Sequence, residues 1–150
     1  MRNVLTTAAS QRVRDICLGI TLVWFIVGGA AHFFATDFFV RITPPWVPEP
    51  HRVVIWSGVL ELLLAGALFS PRLRPWAGWG LIAVIFAVSF ANVHMWQHPE
   101  LFPEAPPWVY TARLILQLGL VWVVWFGTRA APKAHLRPGK TSAPLPARSG

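Results

Sequence analysis

Five side chains able to hydrogen-bond or carry charge fall inside stretches otherwise suited to lipid: His32, Glu61, Asn92, Arg113 and Gln117. Glu61 stands out most. It lies within Trp56-Ser57-Gly58-Val59-Leu60-Glu61-Leu62-Leu63-Leu64-Ala65-Gly66-Ala67-Leu68-Phe69, where every other side chain is apolar or small. An ionisable group at mid-bilayer costs roughly 2.5–3.5 kcal/mol even on the lenient insertion scale, so it normally faces a partner or a water-filled cavity. Arg113 is the natural counter-ion, because an opposite charge nearby would keep Glu61 ionised. His32, Asn92, Arg113 and Gln117 can all donate hydrogen bonds, which the carbonyls of a quinone headgroup would accept. The bland alternative is that these residues only fasten helices together, at about 0.6 kcal/mol each. For the two amides the bland reading is preferred. For Glu61 with Arg113 the two readings stand level, since a charge pair costs more than helix fastening requires.

Other chemistry is thinly represented. His94 and His98 have the i, i+4 spacing of helical metal ligands, but no HExxH and no third ligand accompany them. The single cysteine, Cys17, excludes an intramolecular disulfide and a Cys-rich zinc site. There is no Gly-rich phosphate loop and no Ser/His/Asp pattern. The motifs therefore point to no reaction, and no metal or firmly required cofactor is expected.

The elements that would position the five residues read as membrane helices. The chain has 150 residues, 55% hydrophobic and only 13% charged, against about 25% charged in soluble domains. Nine Trp and ten Phe fit a bilayer and its headgroup boundary. Four apolar spans are predicted at about 16–34, 52–69, 76–96 and 108–126, each near the ~20 residues needed to cross. They would form one transmembrane domain over 16–126: an all-α, antiparallel up-down four-helix bundle. Residues 1–15 form a polar, basic N-terminal segment expected to fray, and 127–150 a basic tail rich in Pro, Ala and Gly expected to be disordered. The start has the layout of a signal peptide, but its apolar run continues through His32-Phe33-Phe34, so an uncleaved helix is expected.

Between the spans, residues 35–51 carry Pro44, Pro45, Pro48 and Pro50 and should be extended or turned, lying on the membrane surface with Trp46 at headgroup level. The six-residue link after the second span, holding Arg72 and Arg74, forces antiparallel neighbours. Basic residues divide sharply. Arg2, Arg12, Arg14, Arg72, Arg74, Arg129, Lys133, Arg137, Lys140 and Arg148 fall on one side, Arg41 and Arg52 on the other. This positive-inside signal places both termini in the cytoplasm of a bacterial inner membrane, and it accounts for the net charge of +7 without nucleic acid. Counting 1.5 Å per residue, Glu61 and Gln117 lie about 13 Å below the outer surface and Arg113 about 7 Å. Asn92 and His32 lie within a turn of their helix ends. All five therefore fall in the outer half of the bilayer.

Several short motifs, in order, resemble the DoxX family of small bacterial membrane proteins: Gly28-x-x-x-His32-Phe33, Asp37-Phe38-Phe39, Pro44-Pro45-Trp46-Val47-Pro48, Ser57-Gly58-x-x-Glu61, Gly80-Leu81-Ile82-Ala83, Ala91-Asn92-Val93-x-Met95 and Arg113-Leu114-x-Leu116-Gln117. Thr36, Phe90 and Ile115 stand where relatives carry proline, which would leave the later helices straighter. The resemblance implies a four-helix membrane bundle associated with redox physiology. The expectation is accordingly a non-catalytic membrane subunit that docks a membrane redox protein and holds a quinone at the outer cluster. A proton or small-solute pathway through Glu61, a purely structural role and a homo-oligomer remain as alternatives.

Overall fold

Nothing in the first eighteen residues breaks a helix: the first glycine is Gly19 and the first proline Pro44. In the computed structural model, which describes the backbone of residues 2–129 and the side chains of residues 9–129, α1 accordingly runs unbroken over Arg2–Phe34. The segment before residue 16, which was expected to be a separate polar stretch, thus continues the first span as one helix. At 33 residues α1 is about 50 Å long, more than the ~30 Å hydrocarbon core of a bilayer.

A bend at Ala35 separates α1 from the short α2, Thr36–Ile42. This too corrects the expectation, because the prolines that forbid helix begin only at Pro44. Then come α3 (Pro50–Ala67), α4 (Arg74–Gln97), a 3₁₀ turn at Pro99–Leu101 and α5 (Pro107–Thr128). Proline opens α3 and α5 and lies in the first turn of α4, where its missing N–H costs nothing. The chain is all-α, with no strand among the described residues. Gly127 and Thr128, expected at the start of the tail, belong to α5 and are buried. The remainder of the expected disordered tail, 130–150, lies outside the described residues.

The four long helices form a ring in which α1 touches α3, α3 touches α4, α4 touches α5 and α5 returns to α1. Every adjacent pair is antiparallel: Gly29 faces Gly58 and Leu62, Gly80 faces Leu64, Gly78 faces Thr128, and Gly127 faces Cys17 and Leu18. Glycine is needed where backbones nearly touch. A Cβ on Gly127 would lie 2.7 Å from the Leu18 amide nitrogen, and one on Gly58 would lie 2.9 Å from the Gly29 carbonyl oxygen. One end of the ring carries the 68–73 hairpin, the start of α1's apolar run and the end of α5; there the Arg14 guanidinium donates to the Arg129 carbonyl at 3.0 Å. The other end carries α2 and the 3₁₀ turn.

Two cores divide the interior along the same axis. The larger, built on Phe25, Leu68, Leu81, Ile85, Leu120 and Val124, fills the hairpin end. The smaller, built on Ile42, Met95, Phe102 and Tyr110, lies under α2 and the 3₁₀ turn. The outward faces are apolar as well, with Leu118 73% and Leu63 67% exposed. Water would penalise so much open hydrocarbon, whereas lipid does not. Three helical stretches are long and apolar enough to cross a membrane: Ala9–Phe34, Arg74–Gln97 and Pro107–Thr128. The fourth long helix, α3, includes His51, Arg52 and Glu61 within its 18 residues and is not among them.

Candidate functional site

Between the two cores lies a cavity of about 930 Å³, within the range of small-molecule sites. Its walls are mostly aliphatic and aromatic, and they include members of both cores: Phe25, Ile85 and Leu120 from one side, Phe39, Ile42 and Ala91 from the other. All five of the expected polar residues, His32, Glu61, Asn92, Arg113 and Gln117, line it. So do Ile16, Val23 and Val27 of α1 and Leu116 of α5, which are between 52% and 64% exposed. The cavity therefore opens on the flank of the ring, between α1 and α5. Trp46 of the 43–49 loop packs edge-on against Phe90 with ring centres 5.7 Å apart, and both line the cavity.

The polar residues form two separate constellations. On the α1–α3 wall, His32 Nε2 lies 3.5 Å from Glu61 Oε1, both side chains being 7% exposed. His32 Nδ1 lies 3.0 Å from the Val54 carbonyl oxygen and 3.1 Å from Ser57 Oγ. Ser57 donates its own proton to the Val54 carbonyl at 2.8 Å. A carbonyl only accepts, and the Ser57 proton is already used, so Nδ1 must carry a hydrogen. The nitrogen facing Glu61 is Nε2. Phe39 of α2 stacks on the imidazole at 4.1 Å and 12°, and Gly28 leaves room for the carboxyl, since a Cβ there would come within 3.3 Å of Glu61 Oε2.

On the α4–α5 wall, Arg113 Nε donates to Asn92 Oδ1 at 3.0 Å. Asn92 is buried and Arg113 half-buried. Gln117 lies one turn further along α5 and lines the same cavity. No ion pair joins Glu61 to Arg113 among the described residues, which corrects the expected pairing: the acid is matched by His32 instead. The reason is rotational. Depth along a helix follows from residue counting, but which neighbour a side chain faces depends on how the helices are turned, and Gly28 and Gly58 bring α1 directly onto the Glu61 face of α3.

Phe39, Val54 and Trp46 are members of this site that spacing alone did not identify. Ser57 was visible one turn before Glu61, and that spacing was the available signal. His94 and His98 sit outside the cavity with ring centres 5.0 Å apart, and no group of three potential metal ligands exists among the described residues. Cys17 is buried against α5.

Residues 21–128 match the family described as a domain of unknown function, DUF8561. The chain belongs to that family. The match covers α1 from Thr21 through the end of α5, and so takes in both constellations and most of the cavity lining. The DoxX resemblance is overturned by this assignment: its short motifs recur here on helices that belong to DUF8561, and the redox association it implied loses its support. No curated protein and no solved structure matches the chain.

Proposed function

We propose that this DUF8561 protein is a multi-pass protein of a bacterial cytoplasmic membrane that binds a lipid-soluble ligand and performs no chemistry on it. In this reading α3 is a fourth span. Its antiparallel place in the ring, between α1 and α4, gives it little alternative once those two cross. Both termini then face the cytoplasm with the hairpin arginines, in keeping with the positive-inside bias, and α2 lies at the outer surface.

One observation carries the binding role: a cavity of about 930 Å³ opens sideways toward lipid and has hydrogen-bonding groups on two facing walls. A ligand could slide its apolar part in from the bilayer and present a polar head to His32, Asn92, Arg113 and Gln117. A quinone is one member of that class. Docking to a membrane redox protein, suggested earlier by the family resemblance, now has no independent support. A proton or solute pathway is less well supported, because the hairpin half below Glu61 is filled by the larger apolar core.

The test is gentle purification, followed by mass spectrometry of extracted lipids, with the wild type beside Val88→Trp. Val88 lines the cavity from α4, so an indole there should fill it. A lipid-soluble species is expected at near-equal amounts with the wild type and depleted in the variant. If nothing co-purifies, or if the variant retains it fully, the binding role is wrong.

A further inference from the structure

Charge accounting narrows the headgroup. The chain has six acidic residues, and Glu61 is matched by His32, Glu104 by Arg41, Glu49 by Arg52 and Glu100 by His98. Asp15 accepts from Gln11, and Asp37 sits in the first turn of α2. None meets Arg113. Glu61 is taken up by His32, so Arg113 lines the cavity with no acidic partner. A charge facing an apolar cavity without a counter-ion is costly, and a bound anion relieves that cost.

Geometry says which edge of Arg113 is available. Its Nε is held by Asn92, which draws the guanidinium toward the bundle rather than along its stem to the membrane surface. The two terminal nitrogens remain as a planar fork, the shape that takes two oxygens of a carboxylate or phosphate. We infer, resting on the binding role proposed above, that the ligand is an anionic amphiphile: a fatty carboxylate or alkyl phosphate whose headgroup sits on the Arg113 fork and whose tail leaves between α1 and α5. The buried Asn92 acts as a positioning residue by fixing the plane of that fork.

The full chain in phosphatidylcholine nanodiscs is titrated with laurate, dodecyl phosphate, dodecanol, a short-tailed ubiquinone and inorganic phosphate. Both amphiphilic anions should bind at least about tenfold more tightly than dodecanol, the size of one charge-assisted hydrogen bond. Arg113→Gln should erase that preference. Asn92→Asp offers a second route that keeps Arg113: a carboxylate at the same position neutralises the guanidinium internally, and the anion preference should again vanish. If dodecanol or the quinone binds as well as the anions, or if the preference survives both substitutions, the anionic headgroup is refuted while the lipid-binding role stands. If inorganic phosphate matches dodecyl phosphate, the tail contributes nothing and the lipid-binding role itself fails. If no amphiphile binds, both fail.

Discussion

The molecule contains the same ion pair twice, in opposite surroundings. His32 and Glu61 are 3.5 Å apart, each 7% exposed, on two helices that nearly touch. His98 and Glu100 are closer, at 3.2 Å, but 47% and 65% exposed and two residues apart in one turn. Distance alone would rank the second pair higher. Environment reverses the order, because water competes for every hydrogen bond of the exposed pair and screens its charges, whereas the buried groups have only protein partners. The comparison also separates the buried pair from Arg113–Asn92, which faces a cavity with its charge unmatched.

The largest effect should come from taking one partner out of the buried pair. His32→Leu removes the partner of the buried acid and the donor to Val54, leaving Glu61 against hydrocarbon; a loss of about 3 kcal/mol is expected. Glu61→Gln should cost under about 1 kcal/mol, because an amide N–H can donate to Nε2 of a neutral ring. Unfolding titrations in mixed micelles measure both. Equal losses would mean that an amide cannot stand in for the carboxyl beside His32.

Next is the seam that brings the pair together. A Cβ on Gly58 would lie 2.7 Å from His32 Cβ, so Gly58→Ala must push α1 off α3, at a cost of about 2 kcal/mol typical of overpacking. Gly119 has nothing within 4 Å of its would-be Cβ, and Gly119→Ala should instead gain up to about 1 kcal/mol from helix propensity. The same measurement on both variants separates seam geometry from glycine content. If both gained, the close approach of α1 and α3 would be excluded.

How far the sequence reaches is clear from these residues. The starts of the later long helices were legible because proline marks them: Pro50, Pro75 and Pro107 lie in their first turns. That His32, Glu61, Asn92, Arg113 and Gln117 fall toward the same end of the bundle was legible too, since position along a helix is residue count times rise. Partner choice was not. Arg113 has a stem long enough to reach several neighbours, and only the rotation of α1, set by contacts at Gly28 and Gly58, decides that Glu61 meets an imidazole. Phe39 could not be placed on that imidazole either, because its position depends on the bend at Ala35.

The cavity-facing pair should behave unlike the buried one. Arg113→Leu exchanges an unmatched charge for hydrocarbon beside an apolar cavity, so stability should change by less than about 1 kcal/mol while anion preference disappears. The Asn92–Arg113 coupling, measured by a double-mutant cycle with Asn92→Leu, should be near the ~0.6 kcal/mol average for polar contacts between membrane helices. A coupling as large as the His32→Leu loss would place Arg113 among the structural locks and count against its role as a ligand fork.

The smallest effect belongs to the exposed pair. The Glu100 carboxyl is held below its ordinary range first by a hydrogen bond from its own backbone N–H, against an opposing desolvation, with lesser help from the bond and charge of His98 and the charge of His94. A carboxyl whose folded value is depressed adds stability that is present above its unfolded value and is lost as pH falls through the folded one. Any contribution from Glu100 is therefore complete at neutral pH and disappears only in acid. Because the group is fully solvated, Glu100→Gln should leave the neutral-pH unfolding midpoint where it is and flatten only the acid limb of the stability profile. Raising the salt concentration should erase even that difference, since exposed charges are screened. A neutral-pH shift as large as that of Glu61→Gln would make the two pairs energetically alike, and burial could then no longer be the reason the first outweighs the second.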